Sequence, residues 1–268
     1  MDSSKELLPV GRLIGGSWKR YVSRFNDLVW IPIIPSLVLA IGDYLNIFNN
    51  VFLKGIGDFM TFDGVLLSLL STLALIYAVH NSKQFNESYR YAESIFFRYL
   101  WVVILGMVIM IGGLFLLVVP ALIFTVWFTL AAYVFVVEGD RGLGAMLKSK
   151  EYIRGYFWQL AWRFVVLILV GLIVSIVAGV LGSAGGQSGA IASSFIFEIL
   201  LAPYLVIYEL GIYDNLRQLR PEIVGTRILN GRIGFTFIAI WGVVAPILLG
   251  TVSILTYGAA ALVQAIMK

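Results

Sequence analysis

Between residues 100 and 137 the chain carries no charged side chain. A helix rises about 1.5 Å per residue, so this run drawn as one helix would overshoot the roughly 30 Å hydrocarbon core of a bilayer. Pro120 falls near its middle, after Gly112 and Gly113. Proline lacks a backbone donor and clashes with the turn before it. The run therefore reads as a tight hairpin of two spans, 100–119 and 121–137.

Five more apolar stretches follow the same logic: 28–48 with Pro32 and Pro35, 65–79, 160–181, 191–212 interrupted by Pro203, and 233–267 with Pro246. The second is short and needs Phe62 or His80 at its edges. The last is long for one crossing and is counted once, whether tilted, kinked or partly interfacial. The glycine-dense segment 182–189 reads as a flexible turn. Apolar residues make up 60% of the 268 and charged residues 13%, against about a quarter charged in soluble domains. The expected fold is all-α, one transmembrane helical bundle of seven spans. An amphipathic segment over 1–27 precedes three helical hairpins over 28–220, then a loop and a C-terminal span over 221–268. The first 27 residues are mixed in charge and unlike a secretory signal, so the first helix is expected to stay as an uncleaved anchor.

Short cytoplasmic loops accumulate lysine and arginine. Four segments on one side of the expected bundle hold all but two of the 19: Lys5 to Arg24, Lys83 to Arg98, Arg141 to Arg163, and Arg217 to Arg232. Lys54 and Lys268 are the exceptions. The N-terminus is thereby expected inside and the C-terminus outside. Trp18, Trp30, Tyr99, Trp101, Trp158 and Trp162 lie near the inner ends of spans, where amphipathic rings suit the headgroup zone.

Two entry segments align without gaps at an offset of 132: Ser17 with Ser149, Phe25 with Phe157, Leu28 with Leu160 and Trp30 with Trp162. Internal symmetry is common in transporter folds, although any chain entering a membrane also wants basic and aromatic residues there. Ser17-Trp18-Lys19 with Tyr21 and Phe25 resembles the entry motif of the membrane-domain family named for glycerophosphoryl diester phosphodiesterase. Pro120, Trp127, Glu138-Gly139-Asp140, Arg154-Gly155-Tyr156-Phe157-Trp158, and Tyr208 to Tyr213 before Asp214-Asn215-Leu216-Arg217 extend the likeness over residues 11–220. The resemblance implies a prokaryotic multi-pass protein of the cell membrane. It implies no phosphodiesterase activity, because the chain has one histidine and no soluble catalytic domain.

Ionisable groups inside a bilayer are functional suspects. Glu198 lies eight residues into the sixth span, as a proton relay or cation ligand, or as a protonated group bonded to Ser193 or Ser194. Asp43 and Glu209 lie nearer span ends, as interfacial or paired carboxylates. His80 has no companions for a metal site. Gly171, Ser175, Gly179 and Ser183 form a stripe of small residues that suits close packing against a helix of this chain or of another copy. Lys148, Lys150, Arg154 and Trp158 fall in a basic amphipathic segment, 141–163, that suits a helix lying against anionic headgroups. Without cysteine, HExxH, a phosphate-binding glycine loop or a serine paired with a base, no catalytic site, metal or cofactor is expected. Nucleic-acid binding has no domain to support it. The leading expectation is a non-enzymatic membrane scaffold contacting lipids and a membrane partner or a second copy. The alternative is a small transporter or permease subunit using Glu198, Asp43 and the proline breaks.

Overall fold

A computed structural model describes residues 7–116, 118–228 and 231–266, all-helical with no strand among them. Lys5, Met267 and Lys268 lie outside this set. The elements in chain order are α1 (Val10–Ser23), α2 (Phe25–Asn46), α3 (Val51–Asn81), α4 (Phe85–Leu116) and α5 (Val118–Phe128). A three-residue α6 (Ala131–Tyr133) and a π-turn (Val134–Glu138) continue α5 to the end of its span. Then come α7 (Leu143–Ile153), α8 (Phe157–Ser183), α9 (Gly186–Leu219) and α10 (Arg232–Ile266). Seven of these stretches are long and apolar enough to cross a membrane: α2, α3, α4, α5 through Glu138, α8, α9 and α10.

The expected spans recur with moved boundaries. The second is a 31-residue helix rather than a short one, because the Asn50 side chain accepts from the N–H groups of Phe52 and Leu53 and starts it early. The hairpin apex between α4 and α5 lies before Pro120, not at it. Pro120 occupies the first turn of α5, where no intrahelical donor is required. The glycine-rich segment is mostly helix, turning only at Ala184 and Gly185. A Cβ on Gly182 would sit 2.7 Å from Ala190 Cα and 2.8 Å from the Gly189 carbonyl. These glycines let α8 and α9 approach closely and are not a loose linker.

The proline breaks expected at 32, 35 and 203 do not interrupt their helices, and α10 likewise runs on through Pro246. Pro35 deprives the Ile31 carbonyl of its donor, and the Tyr89 hydroxyl of α4 donates to that oxygen at 2.6 Å, with Ser71 of α3 at 3.4 Å. Pro203 frees the Ile199 carbonyl, and Tyr21 of α1 donates one residue further on, to the Leu200 carbonyl at 2.9 Å. In lipid a freed carbonyl must find a partner within the protein. At Ile31 neighbouring helices supply it, and both spans stay continuous through their prolines.

The expected repeat has a structural counterpart. Each aligned segment is a short helix, α1 or α7, broken after an arginine and followed by a long span, α2 or α8. Leu28 and Leu160 are 1% and 0% exposed, while Trp30 and Trp162 are 62% and 63% exposed. Each span then pairs with the next, α2 with α3 and α8 with α9.

Candidate functional site

The connections at residues 24, 82–84, 139–142, 154–156 and 220–228 gather at one end of the bundle and make its basic face. Arg20 donates to the Val79 carbonyl at 2.6 Å, and Arg24 to those of Ala78 and Lys83 at 2.7 and 2.9 Å. Val79 and Ala78 lie in the last turn of α3, where helix carbonyls run short of donors; Ala78 also accepts from the N–H groups of Ser82 and Lys83. Arg163 donates to the Leu8 carbonyl, and Leu8 N–H donates to Asn215 Oδ1 at 2.8 Å. The start of the described chain is thus tied to α8 and α9 together.

At the centre of this face lies a buried polar knot. Lys148 Nζ is 2.7 Å from Glu138 Oε2 and 2.6 Å from Asp140 Oδ2. The hydroxyls of Tyr152 and Tyr213 donate to Glu138 Oε1 at 2.8 and 2.6 Å. The loop between Glu138 and α7 turns through two glycines in the left-handed region, Gly139 at φ +74° and Gly142 at φ +54°. It is this reversal that folds Lys148 back onto the two carboxylates. Burial opposes the Lys148 charge, but its hydrogen bonds to Asp140 and Glu138 and their negative charges outweigh that, and its pKa rises. Burial and the bond to Glu138 raise the Tyr152 pKa as well. Beneath the knot, Tyr133 donates to Glu209 Oε2 at 2.9 Å, and its ring stacks on Tyr213.

This corrects the expectation for Lys148, which is 2% exposed and cannot reach a headgroup. The amphipathic segment 141–163 is likewise no surface helix. It breaks at 154–156, and α7 buries Ala145, Met146, Leu147, Tyr152 and Ile153. Its Ser149 hydroxyl donates to the Trp127 carbonyl at 2.6 Å, where α5 ends and the span is interrupted at Thr129–Leu130. Lys150, on the opposite side of α7 from Lys148, lies over the Trp127 and Phe235 rings at 4.5 and 5.0 Å. Lys150 and Arg154 line a cleft of about 530 Å³ with Trp127 and Phe157. Trp158 is 81% exposed. Tyr99, expected at the boundary, is instead buried against Phe135.

Along the face runs a larger cleft, about 820 Å³, which sequence reasoning did not single out. Trp101 and Leu105 of α4, the 139–144 loop, and Arg141, Arg227 and Arg232 line it. All three arginines are exposed, and among the described residues none has a carboxylate within ion-pair distance. The signal available beforehand was only their shared side.

The remaining candidates scatter. Glu198 is half-buried at the α2–α9 contact, where Ser36 and Asp43 of α2 are the polar groups facing it. It bonds neither Ser193, which donates to its own Ala190 carbonyl, nor Ser194. Asp43 is exposed, and neither the two clefts of the basic face nor the one beside Trp30 is lined by Glu198, Pro35 or Pro203. Glu209 belongs to the knot's lower tier. His80 faces Asp214 together with Arg20 and Arg217. No three potential metal ligands gather among the described residues. The stripe of Gly171, Ser175, Gly179 and Ser183 does not meet a helix at its glycines: among the described residues nothing lies within 4 Å of a Cβ built on Gly171 or Gly179, and α8 is the least buried of the seven spans. The close approaches are elsewhere, at Gly42 with Gly57 between α2 and α3, and at Gly112 with Gly242 between α4 and α10.

An all-α bundle of seven apolar helices capped by a basic, tightly bonded face is the architecture of a multi-pass membrane protein. No family model, curated protein or solved structure matches the chain.

Proposed function

We propose that the protein is a multi-pass scaffold of the cell membrane rather than an enzyme, with its basic face in the cytoplasm. That face acts as a stiff platform for anionic lipid headgroups and for a membrane partner. One observation carries this reading. The buried polar groups of the knot are spent on one another, whereas Lys150, Arg154, Arg141, Arg227 and Arg232 are presented along the surface of the face. Cationic side chains at headgroup level attract anionic lipid, at about 1 kcal/mol each near the surface.

Reconstitution into nanodiscs tests it. Anionic lipid should raise the unfolding midpoint by several degrees over zwitterionic lipid, and about 0.5 M salt should remove most of the gain. Equal midpoints in both lipids would sink the proposal. A second reading has one specific support, the half-buried Glu198 opposite Ser36 and Asp43. It predicts that liposomes holding the protein leak protons or cations and that Glu198→Gln stops the leak. Equal fluxes for the two proteins would dispose of it.

A further inference from the structure

The geometry points to the 820 Å³ cleft between α4, the 139–144 loop and the foot of α10 as a seat for the phosphate of one anionic phospholipid. This rests on the membrane reading given above and places a specific site within it. Three guanidinium groups, Arg141, Arg227 and Arg232, line one concavity without a counter-charge. Like charges gathered this way repel, and an anion among them removes the repulsion. The one carboxylate in the lining, Asp140, is committed to Lys148 at 2.6 Å. Arginine's planar fork matches phosphate oxygens in pairs, which makes it suited to this chemistry.

The backbone adds to the same field. The first residues of α7, Leu143 and Gly144, line the cleft, and the N-cap is Gly142, which has no side chain to cap the helix. Gly144 N–H is closed by the Arg141 carbonyl at 3.0 Å. The positive end of α7 otherwise faces the cleft, as helix N-termini do in anion sites. The cleft also has the apolar wall that a lipid needs and a soluble anion does not. Trp101, 57% exposed, and Leu105, one turn deeper on α4, carry its surface down into the span. Basic pockets between spanning helices at the cytoplasmic boundary are known to take anionic headgroups.

The test is native mass spectrometry of the full chain in neutral detergent, titrated with phosphatidic acid, phosphatidylcholine and inorganic phosphate. One phosphatidic acid should bind at least tenfold more tightly than phosphatidylcholine, and millimolar inorganic phosphate should not displace it. The triple variant Arg141→Gln, Arg227→Gln, Arg232→Gln should lose at least tenfold in affinity. Arg232→Lys, which keeps the charge but not the fork, should lose severalfold. The double variant Lys150→Gln, Arg154→Gln removes charge from the same face outside the cleft and should lose less than threefold. These arginines are exposed, so the variants should keep the wild-type unfolding midpoint in zwitterionic lipid; Arg227→Gln alone serves if the triple does not. Retained affinity in the triple variant, or equal losses in both sets, overturns the site while leaving a general preference for anionic lipid intact. Displacement by inorganic phosphate overturns the lipid as occupant. Absence of any preference in the wild type removes the site and the lipid-platform reading together.

Discussion

Replacing Lys148 by methionine would leave two carboxylates facing each other across a site built around a cation. The Lys148 and Glu138 side chains are 2% and 5% exposed, and Asp140 is 25% exposed. Removing one partner of a buried pair costs about 3–5 kcal/mol, because the other charge is left without compensation. Glu138 would keep the hydroxyls of Tyr152 and Tyr213 at 2.8 and 2.6 Å, and Asp140 reaches solvent, so the lower end, about 3 kcal/mol, is expected. Adding Glu138→Gln removes the stranded charge, and the double variant should then lie within about 1–2 kcal/mol of wild type. The two changes would be strongly non-additive, as contacting residues are. Equilibrium unfolding in mixed detergent micelles gives all three values. A Lys148→Met cost below about 1 kcal/mol, or a double variant equal to the sum of the singles, would refute the knot as the element that holds the basic face.

Three further outcomes follow from the same contacts. The folded pKa values of Lys148 and Tyr152 are raised above their ordinary 10.5 and 10.0, so their contribution is complete below pH 10 and lost as pH climbs through the raised values. Unfolding midpoints should stay level from about pH 7 to 9.5 and fall beyond that, less steeply in Lys148→Met; an equally steep fall in the variant would contradict the assignment. Gly242→Ala would press a methyl group into the Val108 carbonyl and should cost about 1–3 kcal/mol, whereas Gly179→Ala meets open space and should be neutral or stabilising by up to about 1 kcal/mol through helix propensity; the same unfolding assay reads both, and matching effects would undo the α4–α10 seam. Tyr89→Phe leaves the Ile31 carbonyl with only the 3.4 Å contact to Ser71 and should cost about 1–2 kcal/mol; no loss would mean that the repair of the Pro35 gap is not made by this hydroxyl.

Apolar length and loop charge vary along a line, and the line is all a sequence provides. For that reason the seven spans and the gathering of basic residues on one side were legible. Pro35 misled because the donors that repair its gap, Tyr89 and Ser71, arrive from other helices. Lys148 and Lys150 read alike as basic residues of one segment. A helix turns about 100° per residue, so two positions apart puts them on nearly opposite faces, one inside the knot and one over aromatic rings. Glu138 and Asp140 flanking Gly139 at the end of a long apolar run were the signal for the knot, because carboxylates at such a point need a cation nearby. The small-residue stripe of α8 was real as a pattern. The chain nevertheless makes its close approaches at Gly42, Gly57, Gly112, Gly182 and Gly242 instead, since the neighbour a stripe meets is decided by tertiary packing. The arginine cleft was invisible because residue 141 and residues 227 and 232 meet only through the lean of α10 on α4.

Cysteine accessibility tests the proposed seven-helix crossing, with the polar knot and arginine cleft on the cytoplasmic side, most directly. Because the chain has no cysteine, single cysteines can be introduced without background and probed in intact cells with a membrane-impermeant maleimide. Asn49→Cys and Gln187→Cys should label from outside. Lys83→Cys, Arg141→Cys and Thr226→Cys should label only after the membrane is opened. Labelling of Lys83→Cys or Arg141→Cys in sealed cells, or protection of both outer positions, would contradict the account.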